Sequence, residues 1–296
     1  MVARLLHECG VFLGPQDELS HPGPDNPEGH FENLRFVKLN EEIMAQFGGT
    51  WDNPTSLPTG WEFAPEASSF LQRADDLIGH FRHQNWGWKD PRNSLTLPFW
   101  QRVIPDLRVI VCVRNPLEVA RSLFVRGDTP GPSHFELWLT YYRQLLATAR
   151  PTHRLFTHYE SYFQDPRAEL IRVLDWLDLK VSDDAIEHAC ARVSAGLRHH
   201  RVTAAELIDS DVPYEVLSLY LDLCAEAGPI YEQARKVEVS GKLQDNSARA
   251  NEVSLLLNEL QQLRSSLASR EQILNEILNS KSFRLISFFW RLRRRT

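Results

Sequence analysis

Apolar positions recur at helical spacing along most of the chain, interrupted by a few short runs in which they follow one another without a polar gap. Val2, Leu5, Leu6 and Cys9 share one face, which predicts an amphipathic helix over Met1–Val11 that Gly10 or Gly14 can end. Leu39, Ile43 and Phe47 form a stripe over Leu34–Phe47, and Ala67–Phe81, Ser94–Val103, Ser133–Ala149, Asp183–Val193 and Val212–Ala227 read as further helices. Val109–Val113, V-I-V-C-V, is an uninterrupted run rich in β-branched residues, the pattern of a parallel-sheet strand buried on both faces. Leu155–Tyr159 reads as another strand, and Pro91 holds Asp90 extended, so Trp86–Lys89 reads as a third. Gly48–Pro65, with Trp51, Trp61 and three prolines, reads as a loop.

The pattern changes beyond residue 228. Residues 229–250 read as a linker, with Glu238–Arg249 polar and short of aromatics. Asn251–Asn279 follows a heptad repeat. Val253, Leu260, Leu267 and Leu274 take one seam position, and Leu256, Leu263, Arg270 and Ile277 take the other. Only Arg270 breaks that seam, so residues 251–280 predict a coiled coil able to form a homodimer. The tail, residues 281–296, mixes bulky apolar and basic residues. It is too short to span a bilayer and suits an interfacial anchor on anionic lipid, with docking to a partner protein as the alternative.

Chemistry concentrates at two junctions. Arg114 ends the Val109–Val113 run, Asn115 can cap a new helix, and Pro116 suits its first position. Ser122, eight residues after Arg114, is carried back towards the same strand end. Ligands of open α/β sheets bind at the carboxyl ends of strands, and an arginine fork with a hydroxyl there can clamp a phosphate. The second junction is N-W-G-W-K-D-P-R, residues 85–92, which carries Lys89, Asp90 and Arg92.

The Arg-x7-Ser spacing inside V-R-N-P-L-E-V-A-R-S-L resembles the 3′-phosphate-binding motif of sulfotransferases that use 3′-phosphoadenosine 5′-phosphosulfate (PAPS). It is most similar to bacterial members associated with surface polysaccharides. H-Y-E-S-Y-F-Q-D-P, residues 158–166, resembles the Y-E-x-L-x-x-D-P element of the same family. The resemblance covers about residues 1–225. It implies an α/β, P-loop NTPase-like fold with a mostly parallel sheet flanked by helices, here followed by a C-terminal coiled-coil helix.

The implied function is transfer of a sulfuryl group from PAPS to a hydroxyl of a carbohydrate, probed at the following positions. Arg114, Ser122 and Arg92 would bind the donor, as would Arg198 in the late basic cluster S-A-G-L-R-H-H-R, with Arg201 beside it. Lys89 would contact the sulfuryl group, where a fixed cation offsets charge spreading over oxygen. Asp90 would hold Lys89 or act as base. Within N-P-E-G-H-F-E-N, residues 26–33, Glu32 is the first candidate for the base that deprotonates the acceptor and His30 the second. The plainer alternatives are a strand–helix junction whose arginine, Arg114, merely pairs with a nearby carboxylate, a structural Lys–Asp–Arg network and a solvated acidic loop.

One departure falls on the chemistry. Family members begin with a strand and a Gly-rich loop that wraps the 5′-phosphosulfate, and nothing in this sequence matches that loop. Either coding sequence for a strand and loop lies upstream of Met1, or the chain is a homologue that has lost transfer. The second reading makes it a non-catalytic, membrane-associated scaffold that binds PAPS or glycan. A nucleotide kinase is disfavoured, because no Gly-rich lysine loop or Mg²⁺-binding acid pair stands out.

Composition narrows the partners. The net charge of the 296 residues is −6. Lys281 onwards carries six basic and no acidic residues, so removing those six leaves −12 on residues 1–280. That balance argues against nucleic acid as a partner. The four scattered cysteines predict buried free thiols of a reducing compartment, and the two histidines of the 194–201 cluster lack a carboxylate or cysteine partner at metal-ligand spacing. With no secretory signal or membrane span in the sequence, the expected location is the cytoplasm, peripheral to the inner face of the membrane if the tail anchors there.

Overall fold

The computed structural model describes residues 1–23, 29–55, 57–81, 85–125, 133–194, 196, 201–202, 206–207 and 210–231. All of them belong to the first of two units, Met1–Val237. The coiled coil expected at 251–280, the tail at 281–296 and Arg198 lie outside the described residues.

The described chain is α/β. Helix α1 (Val2–Glu8) leads through a turn at Gly10, φ +89°, to an extended segment at Val11–Leu13. Helix α2 (Leu34–Gln46) is capped by Asn33, whose side chain accepts from the Arg35 N–H at 3.0 Å. Helices α3 (Pro65–Ser68), α4 (Leu71–Gly79) and α5 (Asn93–Val103) follow. Strand β1 (Val109–Val113), α6 (Pro116–Val125) and α7 (His134–Thr148) come next, then β2 (Arg154–His158). The described chain ends with α8 (Ser161–Gln164), α9 (Pro166–Trp176), α10 (Asp183–Cys190) and α11 (Tyr214–Glu226). Among the described residues no helix is long and apolar enough to cross a membrane.

β1 and β2 pair in parallel, with Val109 opposite Arg154 and Val113 opposite His158. Their side chains alternate between two apolar clusters. Val111, Val113 and Phe156 pack with Trp138 of α7 and Tyr220 of α11. Ile110 and Leu155 pack with residues of α1, α9 and α10. The sheet is therefore covered on both faces, as the unbroken apolar run predicts. A third cluster, rich in aromatics, joins α2, α4 and α5. Phe36 stacks on Trp88 at 4.6 Å between ring centroids and lies 5.3 Å from the Trp100 ring.

Three expectations need correction. The helix predicted over Ala67–Phe81 is two helices, α3 and α4. The Ser69 hydroxyl bonds back to the Glu66 carbonyl at 2.7 Å, and the Phe70 N–H reaches only to Ala67, so the turn tightens and the helix breaks. Trp86–Lys89 is extended but forms one parallel bridge, Phe12 to Trp86, instead of a strand ladder. The helix predicted over Met1–Val11 stops at Glu8, where Gly10 takes the left-handed conformation.

The candidate active site

At the β1–α6 junction the chain turns sharply after Val113, because the Asn115 side chain accepts from the Leu117 N–H at 3.0 Å and Pro116 opens the helix. This turn leaves Arg114 at the carboxyl end of β1. Its guanidinium is held on two sides. Nε donates to Glu118 Oε2 at 3.2 Å, and the guanidinium carbon lies 4.7 Å from the centroid of the Tyr159 ring. Tyr159 follows β2, and its N–H donates to the Val113 carbonyl at 2.9 Å, so the end of the parallel ladder fixes the ring beside Arg114. The Arg114 side chain keeps 30% of its surface exposed.

The 85–92 segment lines the same cavity as Arg114. Lys89 Nζ pairs with Glu32 Oε1, joining the two stretches that the sequence offered separately. Asp90 is oriented otherwise. Its Oδ1 accepts from the Arg92 backbone N–H at 2.9 Å and from Arg92 Nη1 at 3.0 Å, and its Oδ2 accepts from Asn40 Nδ2 at 2.8 Å. Arg92 also pairs with Glu41 at 2.8 Å. Burial is the largest single effect on Arg92 and works against its charge, but the carboxylates of Asp90, Glu41 and Glu32 together outweigh it and raise the guanidinium pKa. Asn40 is fully buried. Its Nδ2 donates to Asp90 and Asn93, and its Oδ1 accepts from Thr96 and from Trp100 Nε1, both at 2.8 Å. Both donor protons and both lone pairs of the amide are used.

These groups border one cavity of about 950 Å³. Glu32, His30, Lys89, Asp90, Arg92 and Arg114 all line it. From there it runs down along β1 as far as Val109, with Trp86 and Trp88 opposite. Hydrogen bonding explains why it follows the strand. The Val113 carbonyl is used by β2, so alternation turns the backbone groups of Val109 and Val111 the same way and those of Ile110 and Cys112 towards the cavity. The Cys112 carbonyl accepts from the Tyr142 hydroxyl at 3.0 Å. Across the cavity, Phe12 uses the Asn85 carbonyl and the Gly87 N–H, so the backbone groups of Trp86 and Trp88 face the other way. Cys112 is exposed, but it opens onto this cavity; the protein atoms around it desolvate the thiol and push its pKa up.

The structure thus brings Glu32, Lys89, Asp90, Arg92 and Arg114 together at the strand ends. Ser122 is half-buried on α6 and outside the cavity lining. Trp61 is buried and meets Phe47 edge-on at 5.1 Å, a packing role, whereas Trp51 borders the cavity and is 40% exposed. Sequence reading passed over Asn40, Glu118 and Tyr159. Glu118 carried a usable signal, because a carboxylate four residues after an arginine on a helix start can reach back to it.

Part of this sequence is similar to known proteins. A candidate protein-tyrosine sulfotransferase of Caenorhabditis briggsae is 28% identical over 109 residues, which cover 34% of this chain and 39% of that protein. One of Caenorhabditis elegans is 27% identical over 109 residues, covering 34% and 42%. The chain spans about two fifths of the length of these curated relatives. No solved structure matches it. The family model described as "Sulfotransferase family" matches residues 20–183, a span that holds Glu32, Lys89, Arg114 and Ser122. That span is more than half of the chain, and the chain belongs to the sulfotransferase family.

Proposed function

We propose that the chain moves a sulfuryl group from PAPS to the hydroxyl of an acceptor bound in the cavity. The observation that carries this reading is the Lys89–Glu32 pair facing the same cavity as Arg114, which stands at the carboxyl end of β1. An ammonium has three N–H donors. Glu32 takes one, and the other two serve the sulfuryl oxygens. As the acceptor oxygen bonds to sulfur, the bond from sulfur to the phosphate oxygen breaks and adenosine 3′,5′-bisphosphate leaves. Lys89 offsets the charge growing on the leaving oxygen, and the acceptor proton passes to the Glu32 carboxylate. Asp90 is engaged with Arg92 and Asn40, which favours Glu32 as the base and gives Asp90 the task of holding this corner together. Arg114 takes the 3′-phosphate; Ser122, outside the cavity lining, is given no contact with it.

The acceptor we favour is a carbohydrate of a cell-surface glycan, for which the exposed ring of Trp51 at the cavity border offers a stacking face. The names of the nematode relatives favour a second acceptor, a tyrosyl hydroxyl of a protein. A homodimer through residues 251–280 and a peripheral membrane contact through 281–296 belong to the same proposal.

A transfer assay with labelled PAPS tests the reading, run on the chain as it stands and on a form extended to an upstream start, against glycan and tyrosyl-peptide panels. Lys89→Met and Glu32→Gln should each lower kcat by about 10²–10³-fold while the protein stays folded. Full activity in either variant would remove that residue from the chemistry. Donor binding without transfer to any acceptor would leave the scaffold reading in its place.

A further inference from the structure

Glu118 is a buried carboxylate, 2% exposed, at the start of α6. Its two oxygens go in different directions. Oε2 accepts from Arg114 Nε at 3.2 Å, and Oε1 accepts from the backbone N–H of Val202 at 3.0 Å, 84 residues further along the chain. The same turn holds the other side of that peptide, because Asn115 Nδ2 donates to the Val202 carbonyl at 3.4 Å. Val202 itself is buried in the cluster with Val111 and Val113. One carboxylate therefore ties the arginine at the strand end to a distant stretch of backbone.

We propose that Glu118 is the positioning residue of the donor site. It fixes the Nε edge of the Arg114 guanidinium while Tyr159 covers a face, and this leaves both Nη groups presented to a phosphate in one orientation. The proposal rests on the reading of Arg114 as the 3′-phosphate ligand. Two opposite effects need to be weighed. A carboxylate beside Arg114 partly neutralises it, so removing the charge alone would strengthen anion binding. Holding the fork in one orientation lowers the entropy lost on binding and strengthens it too. The isosteric Glu118→Gln separates them.

A glutamine has a single acceptor oxygen to offer where the carboxylate used two. The Val202 N–H is buried and would cost more to leave unpaired than the part-exposed Arg114 Nε–H, so the amide oxygen stays with Val202. The amide NH₂ then faces Arg114 Nε–H, donor against donor, and the guanidinium moves away. Orientation is lost with the charge, and the net effect is weaker binding.

The test uses the full chain and two nucleotides, adenosine 3′,5′-bisphosphate and adenosine 5′-monophosphate, titrated by calorimetry. Thermal unfolding confirms that each variant is folded. The wild type should prefer the bisphosphate. In Glu118→Gln that preference should fall by about tenfold, the size of one hydrogen bond to a charged group, with monophosphate affinity unchanged. Glu118→Asp keeps the charge but is too short to bridge both partners, and it should show the same loss. A mere structural role would weaken both nucleotides together, and a mere neutralising charge would make the glutamine variant bind the bisphosphate more tightly. Either result, or an unchanged preference, overturns the proposal. A wild type with no preference for the bisphosphate would overturn the donor reading and this proposal with it.

Discussion

One side chain close to the cavity, Asn40, is saturated by its neighbours, and it marks which groups are fixed and which are available for chemistry. Asn40 uses every hydrogen-bonding position of its amide, and through it α2 and α5 hold Asp90 in place. Glu32 and Lys89 engage each other across the cavity border, where a substrate can displace or share their contacts. This contrast gives a prediction. Asn40→Ala leaves buried donors and the Asp90 carboxylate without their partner, so it should destabilise the fold by about 3–5 kcal/mol. Denaturant titration checks this, and a loss under 1 kcal/mol would mean that the network is looser than its distances imply. Neither Asn40 nor Tyr159 was legible in the sequence, because each acquires its partner through tertiary contacts far apart along the chain. Arg114 and Lys89 were legible because each ends a short extended stretch at a recognisable punctuation, Asn-Pro in one case and Asp-Pro in the other.

At the level of elements, the strongest sequence signals were the local ones. V-I-V-C-V folds as β1 at the expected residues, and Ser133 caps α7 with a full capping box. Trp86–Lys89 shows the limit of such reading. Its composition and the following proline predict extension correctly, but a ladder requires a neighbour, and pairing partners are not written in a local pattern. The ladder that does form makes β1 two-sided in a measurable way. Val111 directs its N–H to β2, whereas Ile110 and Cys112 direct theirs to the cavity. Amide hydrogen exchange should therefore be faster at Ile110 and Cys112 than at Val111 by at least about tenfold, since amides without a partner among the described residues exchange without local opening. Equal protection along the strand would show that the cavity-facing edge is paired in solution. A longer form of the chain carrying an added strand should abolish the difference.

For the molecule as a whole, burial and charge divide the work. The sheet is sandwiched between two apolar clusters and a third, aromatic cluster supports the 85–92 segment, so the strand ends are held rigidly from below. The polar groups collect above them as ion pairs, Lys89 with Glu32, Arg92 with Asp90 and Glu41, and Arg114 with Glu118, so an anionic ligand there has to share or displace carboxylate contacts. The family could be read before the structure, and so could the place of Arg114 at the end of β1, because motif spacing encodes a strand end and a helix start. The acceptor could not, since aromatic residues that pack and aromatic residues that border a cavity look alike in sequence, as Trp61 and Trp51 demonstrate.

The most direct measurement is calorimetric binding of adenosine 3′,5′-bisphosphate, with Arg114→Ala beside the unaltered chain and the upstream-extended form beside both. Binding that falls by about a hundredfold in Arg114→Ala, as expected for the loss of a bidentate charged contact, is the predicted result. Absence of binding by the unaltered and extended forms, or equal binding by the alanine variant, would contradict a donor site at the end of β1.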